Sequence, residues 1–163
     1  MAPATGLPPA SPLVTWRLAP KGYSSFDGEG ARLYGGRWNH PGVRVVYTSG
    51  SLSLAVLEYF VHVDTDLVPE DMVSVRVGLS EEIERETVEP GDLPRDWRAC
   101  PAPEALQDLG TEWIRGGESA VLSVPSVVVP GERNYLLNPV HEEFSRIRVG
   151  RPWPFHFDPR MWK

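Results

Sequence analysis

The sequence predicts an α+β fold in which strands outnumber helices. Three observations lead to this class: β-branched or alternating runs typical of strands, two segments with helix-capping signals, and no regular alternation of strand and helix. The 163 residues suit one domain with one hydrophobic core. We therefore expect central, mostly antiparallel strands with flanking helices.

The N-terminal part is predicted from composition and hydrophobic pattern. Residues 1–12 are rich in Pro, Ala, Gly and Ser, which predicts a flexible lead-in to a single domain spanning residues 13–163. Residues 13–19, LVTWRLA, predict a strand. Residues 20–36 contain five glycines and no regular period, so they predict a long loop, a kind of segment that often carries function.

The first helix is predicted after a strand at residues 43–49, VRVVYTS. Ser49 or Ser51 can cap a helix that runs to about His62. Apolar side chains fall almost all round this helix, so we expect it to be buried, with Glu58 in the interior or on the wall of a cleft. A buried carboxylate needs partners: Glu58 can pair with His62 or an arginine for structure, or serve in catalysis.

The C-terminal half contains a second helix among strands. Residues 72–79 alternate between apolar and polar, which predicts a half-buried strand, and the acidic residues 80–92 predict a solvated connector. Pro103 opens a helix that the glycines at 116 and 117 close. Residues 119–130 predict a strand broken by Pro125, which must lie at an edge or bulge. Short extended pieces are predicted in RNYLLNP, FSRIRV and WPFHF.

Composition excludes several classes of function. The formal net charge is -6, from 16 basic and 22 acidic residues, which disfavours nucleic acid as a partner. No apolar run reaches the about 20 residues that a membrane-spanning helix needs. The start lacks the pattern of a secretory signal and Cys100 is the single cysteine, so a cytoplasmic protein is expected. Only Lys21 and Lys163 are lysines, so 14 of the 16 basic residues are arginines, which suit phosphate or carboxylate ligands.

Four stretches of the chain form a recognisable set: WRLA, GARLYGGRWNHPGVRVVYTSGSLSLAVLEYFVH, LGTEWIRGGESAVLSVPSVVVPGERNYLLNPVHEEF and FHFDPRMW. Together, from about residue 14 to residue 162, they resemble the RES domain family, which is named for an arginine, a glutamate and a serine. The resemblance implies a fold related to ADP-ribosyltransferase toxins, and a toxin role in bacterial toxin–antitoxin pairs with a Xre-like antitoxin. Members of the family degrade NAD by phosphorolysis or hydrolysis, or transfer its ADP-ribose to a protein.

The resemblance implies three catalytic residues. Arg37 of the GGRW motif would face the NAD pocket, where a guanidinium matches a pyrophosphate, while Gly35 and Gly36 let the backbone approach the ligand. Otherwise Arg37 is a surface arginine in a glycine turn. Tyr47 would stack on nicotinamide, unless it is a core tyrosine. Glu58 would stabilise the oxocarbenium-like charge that develops on ribose when the nicotinamide bond breaks.

Three further residues are predicted to support ligand binding. Arg17 matches an early arginine of the family and is assigned to phosphate, with an ion pair to Glu58 or Asp27 as the structural alternative. Tyr34 either lines the same pocket or anchors the loop. Ser126 matches the family serine and can bond ribose, phosphate or Glu58, or satisfy a bulge in its strand.

Other polar and aromatic candidates have structural interpretations. Trp38 is predicted to pack and seat its loop, and Asn138 to cap a short helix that begins with Pro139. The chain's histidines do not have metal-ligand spacings, so no metal site is expected. These histidines are His40, His62, His141 and His156.

The expected protein is a cytoplasmic toxin that consumes NAD as its substrate, without a metal or cofactor and with inorganic phosphate as one candidate co-substrate. Its expected partner is a Xre-like antitoxin that occludes the site, in an assembly that can be of higher order. Nucleic acid and membrane are not expected to bind. Three alternatives stay open: a protein ADP-ribosyltransferase, a non-catalytic nucleotide-binding module and an RNA-cleaving toxin.

Overall fold

The computed structural model describes residues 12–162, in which eight strands form one sheet. The sheet order is β4-β5-β6-β2-β1-β3-β7, and β8 also pairs with β3. Every pair is antiparallel except β4 with β5, so the predicted α+β class with mostly antiparallel strands is confirmed. The strands are Leu13–Pro20 (β1), Val46–Ser49 (β2), Met72–Leu79 (β3), Arg85–Thr87 (β4), Val121–Pro125 (β5), Arg133–Leu137 (β6), Arg148–Val149 (β7) and Trp153–Pro154 (β8).

Three α-helices and several short 3₁₀ helices accompany the sheet in the described residues. None of these helices has both the length and the apolarity to cross a membrane. The lead-in predicted at residues 1–12 lies outside the described residues except for Pro12. The α-helices are Glu29–Tyr34 (α1), Leu52–Phe60 (α2) and Glu104–Gly116 (α3). The 3₁₀ helices are Lys21–Tyr23, Thr65–Leu67, Pro90–Asp92, Glu142–Arg146 and Pro159–Trp162.

The two long strands confirm the predictions made from their sequence patterns. β1 and β3 pair over their full length, from Leu13 opposite Leu79 to Pro20 opposite Met72. The strand predicted at residues 43–49 is shorter, because only Val46–Ser49 pairs with a neighbour, β6. This pairing places the end of β2 beside the start of β6, next to the first turn of α2.

Helix α2 confirms the predicted cap and corrects the predicted burial. Ser51 is the N-cap, and its hydroxyl accepts a hydrogen bond from the backbone N–H of Leu54 at 3.0 Å. The face with Leu54 is buried, but Leu57 is 38% exposed and Val61, just past the helix end, is 54% exposed. The expectation of burial all round is wrong because only one face of the helix packs onto the sheet, while the other faces outward.

Two segments predicted as irregular contain regular structure. The glycine-rich residues 20–36 include α1, which Gly28 and Gly35 bracket with left-handed backbone at φ 70° and 69°. The acidic residues 80–92 include β4, which pairs in parallel with β5. Ile83 within that acidic run is buried in the core. Strand β4 was missed because its partner strand lies far along the chain, and α1 because it has only 6 residues in a glycine-rich segment.

Helix α3 confirms the predicted start and stop signals. Pro103 is its N-cap and Gly117 ends it in left-handed backbone at φ 62°. Its packing face includes Gly110, where an added Cβ would lie only 1.8 Å from the carbonyl oxygen of Trp38. Trp38 is 3% exposed in the hydrophobic core, which confirms its predicted packing role. The loop that carries Arg37 is therefore seated on α3.

Pro125 lies at the end of its strand, where a proline is tolerated, whereas the predicted capping role of Asn138 is wrong. Pro125 is the last residue of β5 and pairs with Arg133 of β6, beyond the point where β4 pairing ends at Ser123. No ladder bond from β4 is needed there, in keeping with its missing N–H. Asn138 does not cap a helix. Its side-chain oxygen instead accepts the backbone N–H of Val140 at 3.1 Å within a turn.

Candidate active site

A cavity of about 970 Å³ opens between β1, β2, α2 and the loop of residues 34–38. Its size is in the range of small-molecule sites. Six of the seven predicted site residues line it, and Ser126 lies behind the cavity wall. The six are Arg17, Tyr34, Gly36, Arg37, Tyr47 and Glu58.

Glu58 of α2 is held through one carboxylate oxygen. Oε1 accepts a hydrogen bond from the Ser126 hydroxyl at 2.8 Å and another from the Asn134 amide at 2.6 Å. The structural alternative, in which Glu58 pairs with His62 or an arginine, is not found in residues 12–162. Within the described part of the chain no hydrogen bond reaches Oε2, so this oxygen is available to a ligand in the cavity.

Ser126 connects Glu58 to the loop after β5. Its hydroxyl oxygen accepts the backbone N–H groups of Val128 and Val129, both at 3.1 Å, while its proton is donated to Glu58. Of the predicted partners of Ser126, the structure shows Glu58, and the hydroxyl also accepts backbone groups of the loop that follows Pro125. Because Ser126 is 1% exposed and lies outside the cavity lining, it acts through Glu58.

Asn134 is the site residue that sequence reasoning missed. It lines the cavity from β6, directly across the sheet from Ser49 of β2. The Ser49 hydroxyl donates to the Asn134 side-chain oxygen at 2.8 Å, and the Asn134 amide donates to Glu58. An asparagine inside a strand is unusual, and this was the available signal in RNYLL.

Arg37 is fixed by backbone rather than by an acidic partner. Its Nη1 donates to the carbonyl oxygens of Trp97 and Ala99, each at 3.0 Å. No carboxylate within residues 12–162 forms an ion pair with it at 4.0 Å or less. A guanidinium held at one nitrogen in a cavity wall presents its remaining donors to an anion.

Arg17 of β1 is partly buried and, like Arg37, lacks a carboxylate partner in the described residues. Its Nη2 donates to the Tyr23 carbonyl at 3.1 Å, and the guanidinium carbon lies 5.8 Å from the centre of the Phe26 ring. Burial lowers the pKa of Arg17, and the negative charge of Asp27 partly opposes that shift. Its Nε is a buried atom that finds no hydrogen-bond partner in the part of the chain that the structure describes. The ion pair to Asp27 or Glu58 is not formed in the described residues.

Tyr47 holds the loop that presents Arg37. Its hydroxyl donates to the Asn39 side-chain oxygen at 2.6 Å and accepts the Trp38 backbone N–H at 3.1 Å. Burial raises the pKa of the phenol. An added Cβ at Gly36 would lie 2.6 Å from the Tyr47 hydroxyl, so this glycine makes room for Tyr47. The expected close approach of a ligand to Gly36 is therefore not needed to explain the glycine, while the Tyr47 ring still lines the cavity.

Exposed aromatic side chains form the rim of the cavity. Tyr34 is 85% exposed and Tyr23 74% exposed, and both line the cavity together with Val61. Of the two interpretations of Tyr34, its exposure favours the pocket-lining residue over the loop anchor. His62, 4 residues beyond Glu58, also lines the cavity.

One cluster of potential metal ligands lies outside the cavity. The ligand atoms of His40, Glu104 and Asp108 lie within 4.8 Å of one another in the described residues. The sequence spacing did not indicate this cluster, because the loop of His40 and the start of α3 meet only in the fold. Nε2 of His40 lies 2.6 Å from Asp108, so a hydrogen bond already accounts for this contact.

The family follows from comparison with known proteins. The family model of the RES domain matches residues 14–158. The chain belongs to the RES domain family. "Toxin Res" of Yersinia enterocolitica is 38% identical over 152 residues, which cover 91% of this chain and 99% of that protein. "Prs ADP-ribosylating toxin" of Sphingobium sp. is also 38% identical over 152 residues, covering 90% of this chain and 94% of the relative.

A solved structure is similar to this RES-domain fold. It is a chain from the crystal structure of the M. tuberculosis MbcT–MbcA toxin–antitoxin complex, with a TM-score of 0.68. The match covers 88% of this chain and 84% of that chain at 15% sequence identity. At this identity the likeness shows that the two chains share a fold.

Proposed function

We propose that this RES-domain protein is a toxin that depletes NAD by breaking the bond between nicotinamide and ribose. One observation carries the proposal: a single cavity contains a carboxylate with one oxygen, and two arginines, that find no charged or hydrogen-bonding side-chain partner among residues 12–162. NAD carries the complementary groups, a pyrophosphate and a ribose that becomes cationic as nicotinamide leaves. The groups that would bind the pyrophosphate and the group that would stabilise the ribose cation then line the same cavity.

The bond cleavage needs no external acid in this scheme. The bonding electrons pass to the ring nitrogen of nicotinamide, which is cationic in NAD and leaves as a neutral molecule. Positive charge develops on the ribose, and Oε2 of Glu58 stabilises it, as carboxylates do in other glycosidic cleavages. Phosphate or water then forms the new bond to ribose, and the proton lost by the attacking water or phosphate passes to solvent.

The two arginines would bind the pyrophosphate. Arg37 has guanidinium donors beyond the nitrogen that Trp97 and Ala99 occupy, and Arg17 has an unpaired buried Nε. Two planar cations can each make paired hydrogen bonds to phosphate oxygens. This assignment explains why both side chains are held in the cavity without acidic partners.

A second candidate function is transfer of ADP-ribose to a protein. The name of the Sphingobium relative, "Prs ADP-ribosylating toxin", favours it. Both functions begin with the same bond cleavage in the same cavity and differ only in what attacks the ribose. The exposed aromatic rim of Tyr23 and Tyr34 is accessible to a protein acceptor as well as to solvent.

Incubation of the purified chain with NAD tests the proposal and separates the acceptors. Nicotinamide release with ADP-ribose phosphate formed only when inorganic phosphate is present indicates phosphorolysis, and free ADP-ribose indicates hydrolysis. ADP-ribose attached to an added protein, detected by mass spectrometry, indicates transfer. Intact NAD contradicts the proposal, and degraded RNA beside intact NAD indicates a nuclease.

The toxin role is tested in cells. We propose a Xre-like antitoxin encoded next to this chain, whose terminal segment enters the cavity and presents a carboxylate or carbonyls to Arg17 and Arg37. The toxin–antitoxin complex that shares the fold supports such a partner. Expression of the chain alone should arrest growth and lower cellular NAD, and co-expression of the neighbouring gene should restore both. A folded, harmless chain that leaves NAD unchanged contradicts the toxin role.

A further inference from the structure

A cross-strand pair of polar residues lies beneath the candidate carboxylate. Ser49 is the last residue of β2, Asn134 lies opposite it on β6, and Glu58 is on the helix that follows β2. Ser49 is 5% exposed, and its hydroxyl is directed to Asn134. The order of contacts is therefore Ser49 to Asn134 to Glu58.

We propose that Ser49 and Asn134 are positioning residues that lock Oε1 of Glu58 and so direct Oε2 into the cavity. The inference rests on the proposed NAD cleavage and adds to it two residues that act through Glu58. Ser126 supplies the second lock on the same oxygen.

The chemistry of the three groups sets the direction of the hydrogen bonds. An ionised carboxylate only accepts, so the Asn134 side chain must turn its NH₂ towards Glu58 and its oxygen towards Ser49. That oxygen needs a donor, and the Ser49 hydroxyl is one. Without the hydroxyl, the amide oxygen loses the one side-chain donor that the described residues give it, and the orientation of the amide is less well fixed.

Two hydrogen bonds to the same carboxylate oxygen restrict the Glu58 side chain more than a single hydrogen bond does. A glutamate side chain has several rotatable bonds, and a single hydrogen bond leaves the carboxylate free to rotate about it. The Ser126 hydroxyl, just past the end of β5, and the Asn134 amide, on the paired strand β6, both donate to Oε1. The remaining oxygen is then held in a fixed position, which matters because small displacements of a reacting group lower rates strongly.

The experiment compares five variants of the full chain: Asn134→Ala, Asn134→Asp, Ser49→Ala, Ser49→Thr and the control Ser74→Ala. Ser74 is a buried serine on β3 that does not line the cavity. Nicotinamide release gives kcat and KM, thermal denaturation gives Tm, and binding of a non-cleavable carbocyclic NAD analogue gives Kd.

The expected result is a loss of kcat with little change in KM. Asn134→Ala should lower kcat about tenfold to hundredfold, with KM and the Kd of the analogue changed less than about threefold. Ser49→Ala should lower kcat less, Ser49→Thr should recover most of that loss because it keeps the hydroxyl, and Ser74→Ala should match wild type. Asn134→Asp places a second carboxylate beside Glu58, so its kcat should rise as pH falls and the two groups share a proton.

Other outcomes overturn the inference in recognisable ways. A rise in KM and Kd at unchanged kcat would make Asn134 a ligand contact. Unchanged kcat and KM in both Asn134→Ala and Ser49→Ala would show that these two residues do not position Glu58. If Asn134→Ala fails to fold, the two Ser49 variants still test the inference. Equal kcat values for Ser49→Ala and Ser49→Thr would contradict a positioning role of the Ser49 hydroxyl. A wild-type chain that releases no nicotinamide contradicts the proposed function instead, and so the two failures are distinct.

Discussion

The cavity has two charged regions, and they hold their charges by different means. The acidic wall, formed by Glu58 and Asn134 with Ser126 behind it, fixes a carboxylate with two side-chain donors. The basic wall, formed by Arg17 and Arg37, fixes two guanidinium groups with backbone carbonyls and gives neither a carboxylate within 4.0 Å among residues 12–162. Arginines held without an acidic partner suit an anionic ligand, so the contrast fits the proposal that a ligand supplies negative charge to the basic wall only.

The largest expected effect comes from removing the charge of the acidic wall. Glu58→Gln keeps the length of the side chain and an oxygen that can accept from Ser126, but it has no negative charge to stabilise a cationic ribose. We expect NAD consumption to fall about hundredfold or more, the size typical for loss of one electrostatic stabiliser. Nicotinamide release measures the rate, and Tm should stay within a few degrees of wild type. Turnover near the wild-type rate would assign Glu58 to structure.

The next effect tests the geometry of the basic wall at constant charge. Arg37→Lys keeps one positive charge, but an ammonium cannot bond both carbonyls of Trp97 and Ala99 and still make a paired contact with a pyrophosphate. We expect kcat/KM for NAD to fall about tenfold to hundredfold, as for the loss of a charge-assisted hydrogen bond.

The matched control for that variant is Arg44→Lys. Arg44 pairs with Glu29 at 2.8 Å and does not line the cavity, so the same substitution there should leave kcat/KM close to wild type. Equal losses in the two variants, or full activity of Arg37→Lys at low NAD, would contradict the assignment of Arg37 to the ligand.

The sequence predicted the parts of this fold that depend on local signals. Neighbouring residues alone predict three features: the alternation of β3, the Ser51 cap of α2 and the glycine that ends α3. The acidic segment gave no sign of β4, because that strand depends on pairing with β5 about 36 residues further on, Arg85 lying opposite Val121. Local pattern therefore predicted elements but not their distant partners.

In the candidate site too, residues within recognisable motifs were predicted, and residues that depend on distant strand pairing were not. The residues of the basic wall and Glu58 were found from the motifs that resemble the RES family. Asn134 was not found, because its contact with Glu58 joins positions 76 residues apart and depends on the pairing of β2 with β6. The contact of Gly36 with the Tyr47 hydroxyl was not predicted either, since it joins the glycine loop to β2, while the approach of a ligand to Gly36 stays a prediction.

A smaller effect separates binding from stability on the basic wall. Arg17 is partly buried, burial lowers its pKa, and its Nε has no hydrogen-bond partner among the described residues. Arg17→Met keeps much of the apolar volume and removes the charge, so we expect KM for NAD to rise about tenfold while Tm stays equal or increases. Steady-state kinetics and thermal denaturation on the same preparation measure both. A lower Tm with unchanged KM would make Arg17 a structural residue.

The smallest effect concerns Tyr47, whose hydroxyl supports the loop of the basic wall. Tyr47→Phe leaves the Trp38 N–H and the Asn39 oxygen without their partner, so the free energy of unfolding should fall by about 1–3 kcal/mol at neutral pH.

Burial raises the pKa of the folded phenol above its ordinary value of about 10, so the folded state favours the neutral form. The unfolded chain ionises this tyrosine above about pH 10, and wild type therefore loses stability there while its contribution is complete at lower pH. Phenylalanine has no such proton, so denaturant unfolding at pH 7 and pH 11 should show the gap between wild type and Tyr47→Phe narrowing at the higher pH. A gap that stays constant or widens would contradict a buried, neutral Tyr47 beneath the Arg37 loop.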